Sequence, residues 1–395
     1  MVDSLYICYF GLREPLVQTQ VVPYLREIAA QGFRPHLLTF DPAGTLSRPD
    51  RERERRALSE SGIEWHSLTY HKRFSALATA YDIMRGAVFI RGLVRRRRIA
   101  LLHARAHIPL AMALMTGRSG DVPLIFDIRG LMAEEYVDAG IWRERSIPFR
   151  VIKWIERVGL RRAGEIVVLT EKFKNYLVDN RLRDPASVTV IPCCVDPSRA
   201  NGAVVEKSES FELIYAGSVT GLYMLKEMGQ LFMVLKEKRS DAFFRILTAG
   251  DPEYVRRVFS EIGLPEDSFS VQKSPPGEVF KWIARSRAAI SFRKPTFSQI
   301  AASPTKIGEY LACGVPVIVN SGVGDTDDQL REDGTGVAVD RFGSEEYERA
   351  AGDILELVDK EGIEETCGRA AKQRFDLRDV GGARYAALYR KLLNQ

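Results

Sequence analysis

The chain has 395 residues, 45% of them apolar and 28% charged, with a formal net charge of +5. These proportions exclude a chain disordered throughout, and the length suits two domains of roughly 150 to 200 residues each. Five cysteines (Cys8, Cys193, Cys194, Cys313, Cys367) are odd in number and form no C-x-x-C pair, which excludes a disulfide framework or cysteine zinc site and fits a reducing cytoplasm.

From the N-terminus the chain runs directly into "SLYICYF" (4–10) with no basic leader, and no stretch of about 20 uninterrupted apolar residues follows, so neither export nor a membrane span is expected. Short apolar runs then alternate with segments of helical period. "SLYICYF", "PHLLTF", "GIEWHSL", "IALLHA", "VPLIFDI", "GEIVVLT" and "SVTVIP" read as strands; "VVPYLREIAAQGF" and "PFRVIKWIERVGLRRA" read as helices. A further helix is expected from near Phe74 to Arg98. Its end carries Arg95, Arg96, Arg97 and Arg98, which either complement the helix dipole or face anionic lipid headgroups on the inner side of a membrane. Nucleic acid is not expected, because no aromatic side chains interleave with the arginines.

After the polar stretch "CCVDPSRANGAVVEKSES" (193–210) the pattern restarts with "FELIYAG", "FFRILTAGD", "FSVQK", "AAISF", "VPVIVN" and "GVAVD". Strand-helix alternation implies parallel sheets with crossover helices, and the restart implies two doubly wound α/β domains. The expected division is 1–196, a linker 197–210, 211–370, and a terminal segment 371–395. Ligands of such sheets bind beyond the carboxyl ends of the strands, so a cleft between the domains is the expected site.

Within "SPTKIGEYLACGVPVIVN" (303–320), Ser303 is read as a helix N-cap and Pro304 as the first helical residue. The N–H groups of Thr305, Lys306 and Ile307 then lack intrahelical partners, and Lys306 adds a full charge to an end that already attracts anions. Glu309 lies one turn on, about 5 to 6 Å along the same face as Thr305. A carboxylate among core-forming Ile307, Leu311 and "VPVIV" is costly unless something binds it. A diphosphate at the helix tip and a ribose against Glu309 match this spacing better than an exposed Lys306–Glu309 pair does.

These residues resemble the retaining nucleotide-sugar glycosyltransferases of the two-Rossmann-domain (GT-B) type, family 4-like, the group that includes sucrose and glycogen synthases. "SPTKIGEYLACGVPVI" places Glu309 at the second glutamate of the E-x7-E motif. "VTVIPCCVD", "LIYAGSV", "LTAGDPE", "LLHARAHIP" and "FDIRG" match elsewhere, and the last 25 or so residues resemble the helix that crosses back onto the first domain. Three departures accompany the matches. Ala301 stands where the first glutamate is expected. Gly217–Ser218 and then Tyr223 replace the Gly-Arg and following Lys that grip the diphosphate, which passes the cationic role to Lys306, backed by Arg293, Lys294 and Lys226. "GLREPLVQTQ" replaces the first glycine-rich loop, leaving Gly11 for close backbone approach.

The resemblance implies transfer of a hexosyl or N-acetylhexosaminyl group, with retention, from a UDP- or GDP-sugar to a glycan or lipid-linked acceptor of the cell surface. It implies no cofactor, the nucleotide sugar being the donor substrate. Donor contacts fall on Gly217, Ser218, Tyr223, Lys226, Gly250, Lys273, Arg293, Lys294, Ser303, Pro304, Thr305, Lys306 and Glu309. Lys306, Asp127, Arg129 and His103 are the expected catalytic groups, the last three because they follow first-domain strands; Gly11, Arg105 and Glu134 are expected at the acceptor. No metal is expected. The "DTD" at 325–327 reads as an acidic helix start, and His103 and His107 do not share a helix interior. A nucleotide-sugar epimerase of the same fold and a catalytically inactive nucleotide-binding subunit are the alternatives. A dehydrogenase is disfavoured, since no G-x-G-x-x-G follows a first strand in either half.

Overall fold

β-Branched, leucine and aromatic runs of three to ten residues, bounded by turn residues, become strands, the central ones buried on both faces. The computed structural model describes residues 1–71, 75–116, 122–201, 206–275 and 277–394. They form two units. The first comprises Met1–Val137, Ile141–Pro192 and Leu377–Gln395; the second comprises Asp138–Gly140 and Cys193–Asp376. Of the expected linker 197–210, residues 202–205 lie outside the described residues, as does Phe74.

In the first unit, β1 (Val2–Ile7), β2 (Phe33–Pro42), β3 (Glu64–Tyr70), β4 (Leu101–Arg105), β5 (Leu124–Asp127), β6 (Glu165–Val168) and β7 (Val188–Val190) form one sheet. Its order is β3-β2-β1-β4-β5-β6-β7, all parallel. The second holds β8 (Glu212–Ala216), β9 (Phe243–Leu247), β10 (Phe269–Gln272), β11 (Ala288–Ser291), β12 (Val317–Asn320) and β13 (Gly336–Val339), in the order β10-β9-β8-β11-β12-β13, again parallel. Every strand expected from the sequence is present. In each sheet the chain reverses its winding once, between β1 and β4 and between β8 and β11. Adjacent loops diverge there and leave room for a ligand at the strands' carboxyl ends.

The C-terminal segment belongs to the first unit from Leu377, beginning with a π-helical turn, Leu377–Gly382, before the helix Ala383–Leu392. Tyr385 and Tyr389, four residues apart on one helix face, are both buried, and their rings meet Tyr24 and Phe33 edge-on at 5.4 Å. The helix Ser75–Arg97 ends in the arginine cluster, which is exposed. Among the described residues no helix is long and apolar enough to cross a membrane.

Candidate functional site

The second unit's winding reversal gathers the conspicuous residues. β8 ends at Ala216, whose N–H donates to the Tyr310 hydroxyl at 2.8 Å, and Gly217 donates to the Leu247 carbonyl of β9 at 2.9 Å. Gly217 takes a φ of +146°, open to glycine and strained for other residues. A Cβ there would stand 2.6 Å from Lys306 Nζ and 3.2 Å from its Cε, so a side chain at this position would displace the end of the lysine. The chain then turns back so that Tyr223 bridges antiparallel to Arg293 beyond β11, with Met224 N–H on the Phe292 carbonyl at 3.1 Å and Lys294 N–H on the Leu222 carbonyl at 2.9 Å. Tyr215 hydrogen-bonds through its hydroxyl to the Ser218 carbonyl, which pins the turn.

Lys306 enters this pocket from the first turn of the helix Thr305–Ala312. Its side chain is 7% exposed. Nζ has no hydrogen-bond partner among the described residues and lies 4.1 Å from the ring centres of both Tyr215 and Tyr223. Burial drives its pKa well below the ordinary value; the neighbouring Arg293 adds to the shift and Glu309 opposes it. The two aromatic faces partly replace the lost hydration, but ring quadrupoles are weaker than an anionic oxygen. An ammonium held this way is a receptor for an anion.

The helix start differs by one residue from the expectation. Pro304, with ψ 115°, is the N-cap, and Thr305 is the first helical residue. The Ser303 hydroxyl does not cap the helix; it accepts the Cys193 N–H at 3.2 Å. The Ile307 N–H is taken by the Pro304 carbonyl at 3.1 Å, which leaves those of Thr305 and Lys306 without an acceptor among the described residues.

Glu309 is half-buried one turn further along, and among the described residues no hydrogen bond or ion pair holds its carboxylate. Burial raises its pKa, with Arg199 and Lys306 offsetting part of the rise. Such a group can accept hydrogen bonds from hydroxyl donors.

The surrounding shell combines Arg293, Tyr223 and Gly250, named from the sequence, with residues that were not. Arg293 Nε donates to Gln299 Oε1 at 2.7 Å, its NH1 reaches the Tyr223 hydroxyl at 3.4 Å, and its guanidinium carbon lies 5.0 Å from that ring's centre. Its backbone N–H donates to Asn320 Oδ1 at 2.8 Å, at the end of β12. No sequence signal marks Gln299, Asn320, Tyr215 or Tyr310. Ala301 is fully buried, so the position of the absent glutamate is interior. Gly250 joins the group: its N–H donates to Thr248 Oγ1 at 3.0 Å, and a Cβ there would meet Val219 at 3.2 Å. Ser218, Lys226 and Lys273 are exposed and show no contact with Lys306, while Lys294 Nζ is engaged by the Asp138 carbonyl at 3.2 Å.

In the first unit the expected catalytic residues do cluster, but inward. Asp127 and His103 are fully buried. Asp127 Oδ2 accepts from the Tyr385 hydroxyl at 2.9 Å and lies 3.4 Å from His103 Nε2, whose Nδ1 meets the Tyr389 hydroxyl at 2.9 Å. Arg129 and Arg105 approach the same carboxylate at 3.6 and 3.9 Å. Both histidine nitrogens and Asp127 Oδ2 are thus engaged by the C-terminal helix and its neighbours, while Asp127 Oδ1 faces Arg129 without a hydrogen bond among the described residues. The expectation that His103 and Asp127 face a ligand is corrected: each lies within its strand rather than beyond it. Burial alone would raise the Asp127 pKa, but Arg129, His103 and Arg105 bring it down to about 2, and burial lowers that of His103. Glu134 is paired with Lys153 at 2.7 Å. Gly11 is buried against Asp41, which accepts the Leu12 N–H at 2.7 Å.

Asp325 is the N-cap residue of the helix Thr326–Asp333, with Asp327 and Asp328 in its first turn and Asp327 3.7 Å from Arg331. His103 lies in β4 whereas His107 opens a helix and meets Glu156 at 3.0 Å.

Residues 17–194 match the sequence model of the glycosyl transferase 4-like domain family. No curated protein matches the chain. Among solved structures, sucrose-phosphate synthase from Thermosynechococcus elongatus is similar with a TM-score of 0.75 at 14% identity, covering 100% of both chains. Anabaena Alr3699/HepE in complex with UDP-glucose gives 0.65 at 14% identity, covering 98% of this chain and 100% of the other. A candidate UDP-N-acetylglucosamine 2-epimerase from Listeria monocytogenes gives 0.63 at 14% identity, covering 100% and 97%. At these identities the likeness establishes the fold: two parallel-sheet domains of GT-B architecture.

Proposed function

We propose that this chain is a retaining glycosyltransferase that takes a nucleoside diphosphate sugar and passes its sugar to a glycan or lipid-linked acceptor of the cell surface without a metal ion. The observation that carries the proposal is the buried Lys306 Nζ beside Gly217, without a hydrogen-bond partner among the described residues, one turn from a half-buried Glu309 that none of them satisfies. A diphosphate at Lys306 and the free Thr305 and Lys306 N–H groups, with its ribose against Glu309, supplies what both side chains lack. The match over residues 17–194 and the UDP-glucose bound by a protein of the same fold support the same reading.

In the proposed reaction the bond between the sugar's anomeric carbon and the diphosphate oxygen breaks, and the electron pair leaves with the diphosphate. The acceptor oxygen bonds to that carbon on the face the diphosphate leaves, and its proton passes to a diphosphate oxygen. Lys306 and the two N–H groups act where negative charge grows, and in a site closed to water they are worth most at that moment. Arg293, fixed by Gln299, Asn320 and Tyr223, keeps the tyrosine that lines the ammonium in place.

The Listeria neighbour favours a second reading, an epimerase that releases UDP and an altered sugar. NMR of products from UDP- and GDP-sugars, with and without glycan or lipid acceptors, decides between them. Transfer with the donor's anomeric configuration kept supports the proposal. Free altered sugar formed without acceptor supports the epimerase, and nucleotide binding without turnover on any donor contradicts both.

A further inference from the structure

A second polar cluster lies in the first unit, at the amino ends of β1, β2 and β3, the end opposite the one where sheets of this topology bind their ligands. Parallel register places its members. His36 on β2 is level with Glu64 on β3, and His66 is two residues further along β3, so all three side chains share one face of the sheet. Asp3 is two residues before Leu5, which is level with His36 on β1, and so lies on that same face. The sequence "GIEWHSL" reads only as a strand; the pairing turns its Glu-x-His into two arms of one site.

The distances are those of ligands around a shared cation. His36 Nδ1 lies 3.0 Å from His66 Nε2 and 3.0 Å from Glu64 Oε2. All three donor atoms fall within 4.8 Å of one another. One imidazole proton on Nδ1 cannot serve both neighbours, and Glu64 Oε2 has no hydrogen-bond partner among the described residues. On its other side, His36 Nε2 is also without a hydrogen bond and faces Asp3 Oδ1 at 3.6 Å. Metal-bound histidines commonly direct the second ring nitrogen at a carboxylate in this way, fixing the tautomer and raising ligand basicity. His36 is 1% exposed, so its ring is held, whereas Glu64 and His66 sit half-exposed on the edge strand and offer an entry path. Arg97 at 3.2 Å holds the other oxygen of Glu64.

We propose that His36 Nδ1, His66 Nε2 and Glu64 Oε2 bind a divalent d-block cation of the zinc class, with Asp3 orienting His36. Two imidazoles and one carboxylate suit zinc or cobalt rather than calcium or magnesium, and three protein ligands leave further positions to water. The cation ties the edge strand β3 to β2. Sugar transfer requires nothing of it.

The test uses the full chain without a polyhistidine tag, titrated with Zn2+ by calorimetry and with Co2+ by visible absorption. One equivalent is expected to bind with Co2+ bands of a nitrogen-oxygen site. Glu64→Gln and His66→Asn, both at half-exposed positions, are each expected to weaken binding at least about tenfold. The metal-free circular dichroism of both variants is expected to match that of the intact chain, and Zn2+ is expected to raise the melting temperature of the intact chain alone. Absence of saturable one-to-one binding, or equal binding by the intact chain and both variants, overturns the site. If the variants lose their fold, Asp3→Asn decides: weakened binding supports the site, unchanged binding overturns it.

Discussion

Replacing Lys306 with methionine separates what the ammonium costs the fold from what it gives the ligand. The side chain is almost fully enclosed, with no acceptor for Nζ. Desolvating an ion costs several kcal/mol after relaxation, and each of the two ring contacts at 4.1 Å returns about 1 to 2 kcal/mol. Methionine fills a similar volume without charge, so Lys306→Met is expected to stabilise the ligand-free protein by about 1 to 3 kcal/mol. The loss appears on binding. A charge-assisted hydrogen bond to a phosphate oxygen is worth about 1.5 to 3 kcal/mol, so UDP affinity is expected to fall about 10- to 150-fold. The pH dependence fixes the sign. The folded chain holds the lysine proton less tightly than the unfolded chain, so unfolding takes up a proton and stability rises with pH from the depressed pKa to the ordinary value near 10.5. The advantage of the methionine variant is therefore full below the depressed pKa and shrinks as pH rises toward 10.5. Urea unfolding across pH without nucleotide measures the first effect, and calorimetric titration with UDP the second. A variant less stable than the parent that binds UDP equally well refutes the reasoning.

Gly217→Ala forces a Cβ onto a φ of +146° and to 2.6 Å from Lys306 Nζ. Backbone strain alone predicts a loss of about 1 to 3 kcal/mol in urea unfolding, with weaker UDP binding; unchanged values for both contradict the packing described. Asp127→Asn removes the charge that Arg129 and Arg105 face, and about 3 to 5 kcal/mol of destabilisation is expected. With its folded pKa near 2, below the ordinary 3.8, the aspartate contributes stability fully above 3.8 and loses it as pH falls through 2. The asparagine variant is accordingly expected to lose less stability than the parent over that acid range. Neutralising Arg95 to Arg98 as glutamines is expected to abolish flotation with anionic vesicles, where the exposed Leu77, Tyr81, Met84 and Val88 stripe of the same helix would add apolar contact. Undiminished flotation removes the membrane-bound acceptor from the proposal.

The strands and their parallel, doubly wound class were legible in the sequence because each strand carries its own local signature, an apolar run between turn residues; their order within each sheet was not. The proximity of Lys306 and Glu309, the pair proposed to hold the donor, was legible for a similar reason: both lie on one short helix, where spacing alone fixes their relation. What joins Lys306 to Gly217, Tyr215 and Tyr223 is tertiary. Nothing local in "LIYAGSVTGLY" states that its glycine makes room for a lysine almost ninety residues later. His103 and Asp127 show the opposite failure, in which strand ends were read as ligand-facing. A helix from the far end of the chain covers them with Tyr385 and Tyr389. The Ser303 cap missed by one residue because the Cys193 N–H competes for the same hydroxyl.

Calorimetric titration of UDP into the intact protein and into Glu309→Ala tests the nucleotide site most directly. The account predicts saturable binding by the intact chain and affinity at least about tenfold weaker in the variant, since a carboxylate hydrogen bond to a ribose hydroxyl contributes about 1.5 kcal/mol or more. Equal affinities for the two proteins would show that Glu309 does not hold the ribose, and the reading built on that helix would fall.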